Sequence, residues 1–148
     1  MADIELIKEL RELTGVSVAQ IKKALEEADN VKEKALERLK ELAGAMATKK
    51  ADRELSAGVV GTYVHAERIG AMVVLACETD FVARNDAFQE LARELAMHAA
   101  AMRPESPEEM LKQPFVKDEN ITVRERIEQA VAKLGENIQL SRFSILSV

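Results

Sequence analysis

A chain of 148 residues with 47% hydrophobic and 32% charged residues can form one domain or a small module plus a modest one, and is too apolar to stay disordered. Its net charge of −5 argues against a protein whose main work is gripping phosphate backbones, because that grip comes from Lys and Arg displacing counterions. One Cys excludes an internal disulfide, aromatics at 3% leave the core to aliphatic residues and Ala, and the apolar run 71–77 falls far short of a membrane span. Met1 to Leu10 lacks the apolar core of a signal peptide, so the expected location is the cytoplasm or an organelle matrix, with no membrane and no direct nucleic-acid partner.

Residues 1–43 read as three short helices. The first carries Ile4, Ile7, Leu10 and Leu13 on one stripe and stops at Thr14-Gly15. Ser17-Val-Ala-Gln20 has the form of a capping box opening the second, with Ile21, Ala24, Leu25 and Ala28 inward. Asn30-Val-Lys-Glu33 opens the third, with Val31, Ala35, Leu39 and Leu42 inward. Such a bundle resembles the ubiquitin-associated (UBA) fold, and its core is small. Residues 44–56 are polar and read as a linker, helical in part.

Gly58–Ala66 and Ile69–Cys77 are apolar, β-prone runs around Glu67-Arg68, a hairpin pattern. The second run leads into the corner Thr79–Asn85. Asp86 with Gln89 then has the spacing of a capping box for a helix reaching Met102, whose inner face is Phe88, Leu91, Ala92, Leu95, Ala99 and Met102. His98 borders that stripe; nothing with ligand spacing accompanies it, so packing or partner contact is expected there rather than metal binding. Pro104 and Pro107 break the helix, and a short helical piece follows at 108–112. Thr122-Val-Arg-Glu125 opens a last helix with Val123, Ile127, Ala130, Val131 and Leu134 inward; Gly135 ends it, and 137–148 reads as a third strand. The expected fold is α+β: a UBA-like three-helix bundle over 1–43, a linker over 44–56, and an α+β core over 57–148 in which a small antiparallel three-stranded sheet packs with helices.

For the corner itself, residue types leave two readings. Either Thr79 or Asp80 caps a helical turn while Phe81 and Val82 tuck into the core, or the segment faces outward. An enzyme is not expected: no His stands near Cys77 or Asp80 as an orienting base, and no Gly-rich phosphate loop or HExxH motif occurs. No metal or cofactor is expected.

The phrase Glu78-Thr-Asp-Phe-Val-Ala-Arg-Asn85, between its strand and helix, closely resembles the signature of elongation factor Ts, the nucleotide-exchange factor of the translational GTPase EF-Tu. Leu10-Arg-Glu-Leu-Thr-Gly15, Lys22-Lys-Ala-Leu25, Gln113-Pro-Phe-Val-Lys-Asp118 and Lys133-Leu-Gly-Glu-Asn-Ile138 extend the resemblance over nearly the whole chain. Two departures stand out. The tip between the first two helices, usually Gly and two Met in that family, is Val16-Ser-Val-Ala19; and residues 103–112 replace a long helical insertion.

The resemblance implies a short-form exchange factor that binds nucleotide-free and GDP-bound EF-Tu and does no covalent chemistry. Phe81 would be an apolar wedge near the partner's Mg²⁺ and phosphate site, Asp80 would bring negative charge beside the metal, and Thr79 and Val82 would hold the loop's shape. Leu10, Val18, Ala19, Lys22 and His98 would be further partner contacts, with core packing the alternative for Leu10. Short members of the family tend to pair as homodimers, for which the terminal strand offers an edge. The alternative to exchange is a UBA-like adaptor that binds other proteins without exchange activity.

Overall fold

β2 (Ile69–Cys77) is the centre of the larger sheet in the computed structural model, which describes all 148 residues. It pairs antiparallel with β1 (Ala57–His65) on one side and with β5 (Ile138–Ser147) on the other. Alternation along β2 sends Ala71, Val73, Leu75 and Cys77 inward and Met72 outward, the period of two that a strand imposes. The extra residue Ser141 in β5, opposite the Val74/Leu75 step, bulges that edge.

α5 (Asp86–Met102) lies across the inner face of this sheet and buries Phe88, Leu91, Ala92, Leu95 and Ala99. Each large apolar side chain so buried contributes about 1.5–3 kcal/mol. The helix and β1 meet at Gly61, where a Cβ would lie 2.3 Å from the Ala92 carbonyl oxygen; the absent side chain lets the two backbones touch. α7 (Val123–Leu134) and α6 (Pro107–Lys112) close the rest of the core through Val123, Ile127, Val131 and Met110. Thr122 and Glu125 form the reciprocal capping box of α7, and Gly135 ends it at φ 78°. A small hairpin, β3 (Pro114–Phe115) with β4 (Asp118–Thr122), joins α6 to α7. The sequence reading contained no such second sheet, because strands this short show no periodicity.

The N-terminal helices are α1 (Ile4–Thr14), α2 (Val18–Glu27) and α3 (Lys32–Lys50). They enclose a separate buried cluster built on Leu10, Ile21, Leu25, Ala35 and Leu39. Residues 44–50 continue α3 without a break, and α3 packs along α7 with Lys40 Nζ 3.3 Å from Glu125. Only 51–56 is irregular connector. No helix is long and apolar enough to cross a membrane.

Several expected positions shift. Ile4 and Leu13 are exposed, and Val31 is the N-cap of α3 and also exposed. Asn30, at φ 60°, instead spends its side chain across the bundle: Nδ2 donates to the Met1 carbonyl while Oδ1 accepts from the Asp3 N–H. Met102, the last residue of α5, is exposed as well. The α+β class and the three-stranded antiparallel sheet are as expected.

Candidate functional site: the Thr79–Val82 corner

The chain leaves β2 at buried Cys77 and turns at once into α4 (Asp80–Ala83), a single turn. Thr79 is its N-cap, extended at φ −129° and ψ 156°, with Oγ1 accepting from the Val82 N–H at 3.3 Å. Val82 and Ala83 face the core and anchor the turn. Phe81 points the other way and is 84% exposed, so the core-packing reading fails for Phe81 and holds for Val82. Asp80, in the first turn where the helix dipole favours negative charge, is also exposed. A capped turn anchored through Val82 thus holds an aromatic ring in solvent.

Asn85 starts the next helix. Its Oδ1 accepts from the N–H groups of Ala87 at 2.8 Å and Phe88 at 3.2 Å, so the cap is one residue earlier than Asp86. Gln89 reaches back to donate to the Ala83 carbonyl rather than to close a capping box. The corner is thus pinned at both ends.

A third support comes from far along the chain. Glu136 Oε1 accepts from the N–H groups of Glu78 and Thr79, each at 3.1 Å, while its Oε2 accepts from Thr79 Oγ1–H at 2.7 Å. In return Glu78 Oε2 accepts from the Asn137 N–H at 2.6 Å, and Asn137 Nδ2 donates to the Arg53 carbonyl at 2.8 Å. Ser56 Oγ donates to the Glu78 carbonyl at 2.8 Å. Sequence reasoning assigned no role to Glu136, Asn137 or Ser56. The signal was there: once β5 pairs with β2, the start of β5 must lie beside the end of β2, as Ile138 opposite Cys77 does.

The other expected contact residues divide. Val18, Ala19 and Lys22 are exposed at the start of α2, on the separate N-terminal core. Leu10 is wholly buried in that core, since it sits where α1 meets its neighbours, and has no surface to present. His98 is also wholly buried: Nδ1 accepts from the Val116 N–H at 3.1 Å, Nε2–H donates to Gln113 Oε1 at 2.9 Å, and the ring stacks on Phe115. Both nitrogens are satisfied only in the neutral ring, and burial lowers its pKa. It packs α5 against the β3–β4 hairpin and offers the surface nothing.

Nothing at the corner resembles a reaction centre. Burial, reinforced by the nearby Glu136 carboxylate, pushes the Cys77 thiol up and away from nucleophilic character. A cleft of about 430 Å³ between α1, α5 and α7, lined by Leu13, Lys117, Arg126 and Lys133 among others, includes no residue of the corner. The feature to explain is a protrusion, not a pocket.

The family model described as elongation factor TS matches residues 78–148, from the corner to the end of β5. Elongation factor Ts of Thermosipho melanesiensis is 38% identical over 189 aligned positions, covering 97% of this chain and 96% of that protein. The chain belongs to the elongation factor Ts family. Members of this family are the nucleotide-exchange factors of EF-Tu and are not catalytic enzymes. Elongation factor Ts of Nostoc sp. is 44% identical over 146 residues, 97% of this chain but 46% of that protein. The Clostridium botulinum protein of the same name is 42% identical over 149 residues, 48% of its length. This chain therefore spans about half the length of the latter two. The Thermosipho alignment also runs over 189 positions, more than the 148 residues available here, so that elongation factor Ts carries residues this chain lacks.

Proposed function

We propose that this chain releases GDP from EF-Tu with the Thr79–Val82 corner as its working element. The observation that carries this is Phe81, 84% exposed on a turn whose other side, Val82, is anchored in the core. A flat apolar ring inserted between elements of the GTPase would repack them at modest entropic cost. Asp80 beside it would bring negative charge toward the partner's Mg²⁺. Weakening that metal removes the largest charge balancing the β-phosphate, and GDP leaves. No bond is made or broken; the factor binds the empty GTPase tightly and the loaded one weakly, and by linkage each ligand loosens the other.

Val18, Ala19 and Lys22 would grip a second face of the GTPase from the N-terminal module, 1–43, carried by α3 and the connector that precedes the core over 57–148. Leu10 and His98 would act only by holding their own cores together. A partner of this kind puts the working place in the cytoplasm or an organelle matrix.

A homodimer is the second part of the proposal. The outer face of the sheet exposes Val60, Val64, Met72 and Leu146, and Arg142 is the one charged residue paired into it. A second copy of the same face would cover this surface, as isologous pairing allows. Sedimentation at micromolar concentration tests it: a dimer that Met72→Lys converts to monomer supports the pairing, and a wild-type monomer refutes it.

The exchange reading is tested by affinity. Binding to nucleotide-free EF-Tu should be at least about tenfold tighter than to the GDP complex. Equal affinity for the two forms would support a plain adaptor instead.

A further inference from the structure

We infer that Glu136 is a positioning residue of the exchange corner, an inference that rests on the exchange reading above. Its carboxylate, in the bend between α7 and β5, takes three hydrogen bonds from the corner: from the Glu78 and Thr79 N–H groups and from Thr79 Oγ1–H. Thr79 Oγ1 then has one role on each side. It donates to Glu136 and accepts from the Val82 N–H, so its hydroxyl rotor is fixed by two partners at once. The α4 turn has only four residues and makes few hydrogen bonds of its own, so its orientation depends on what holds its cap. Two strand ends meet there: Glu78 and Thr79 follow β2 directly, Glu136 lies two residues before β5, and Cys77 and Ile138 are paired just behind.

Glu136 is also held in turn. Its neighbour Asn137 donates its N–H to Glu78 Oε2 and its side-chain amide to the Arg53 and Ala51 carbonyls, while Lys50 Nζ donates to the Gly135 carbonyl at 2.7 Å. The segment 135–137 is thereby tied to the end of α3 and the connector, and Glu136 is a fixed strut rather than a mobile surface acid. It touches neither Phe81 nor Asp80 through these bonds. Its effect on exchange must pass through Thr79.

The test is a double-mutant cycle on GDP release from EF-Tu, using the full chain as wild type, Glu136→Ala, Phe81→Ala and the double variant, with Glu136→Gln alongside. Glu136→Ala should slow the maximal release rate about tenfold, the scale of lost hydrogen bonds to a charged group. In the Phe81→Ala background the same change should add almost nothing, because there is no wedge left to aim. Glu136→Gln, which keeps one acceptor oxygen for the two N–H groups, should restore most of the rate and keeps the test open if the Ala variant fails to fold. Full additivity with Phe81→Ala, or a folded Glu136→Ala at the wild-type rate, would overturn the inference while leaving the exchange reading intact. Absence of acceleration by the wild type would instead remove the reading on which it rests.

Discussion

Thr79 and Glu136, 57 residues apart, are joined by a backbone N–H bond at 3.1 Å and a hydroxyl bond at 2.7 Å to the same carboxylate. Thr79 also caps α4 through the Val82 N–H. Removing the hydroxyl removes the 2.7 Å bond to Glu136 and the cap on Val82, and leaves only the backbone N–H bond. Thr79→Val should cost about 1–2 kcal/mol of stability by denaturant titration, and Thr79→Ser should recover most of it. A neutral Thr79→Val would mean that the cap contributes nothing.

Gly61 should tolerate no side chain. A Cβ there would lie 2.3 Å from the Ala92 carbonyl oxygen and 2.8 Å from the Ala92 Cβ, so α5 and β1 would have to separate. Gly61→Ala should therefore destabilise by about 3 kcal/mol or more, at the upper end of overpacking costs. Thermal unfolding of the two forms measures it.

Much of this architecture is legible from periodicity, and the exceptions have local causes. The inner face of α5 follows from Phe88, Leu91, Leu95 and Ala99, yet His98 lies seven residues beyond Leu91 and shares that face. Its residue type suggested a boundary position; Gln113 and the Val116 N–H supply the polar partners that let it be buried. Val31 looked inward because it opens an apolar stripe, but Asn30 at φ 60° turns the chain so that Val31 is a cap. The corner motif was readable as a phrase. The outward-facing reading of Phe81 stood beside core packing until the structure decided it, and the bonds from Glu136 were not readable, since they depend on which strand ends meet.

His98 makes stability depend on pH. Its pKa in the folded chain lies below the ordinary value of 6.5, because burial disfavours the charged ring. The unfolded chain therefore binds the proton more readily. The stability His98 contributes is complete above pH 6.5 and is lost as pH falls through the lower folded value. Unfolding curves between about pH 8 and about pH 5 should show this loss, and His98→Leu should flatten its histidine component while lowering stability throughout.

The β1–β2 turn holds Ala66 and Glu67 at φ 51° and 58°, a region that suits glycine. Relief of left-handed strain is worth about 1 kcal/mol per residue. Glu67→Gly should raise the unfolding midpoint without changing GDP release, since the turn lies at the opposite end of β2 from Thr79.

The most direct measurement is the rate of fluorescent GDP release from EF-Tu with catalytic amounts of wild type or Phe81→Ala. Phe81 is so exposed that its truncation should leave stability within about 0.5 kcal/mol of wild type. Release should be accelerated by the wild type and fall about tenfold or more with the variant, as for the central aromatic of a protein contact. A folded Phe81→Ala that releases GDP as fast as wild type would contradict the assignment of exchange to this corner.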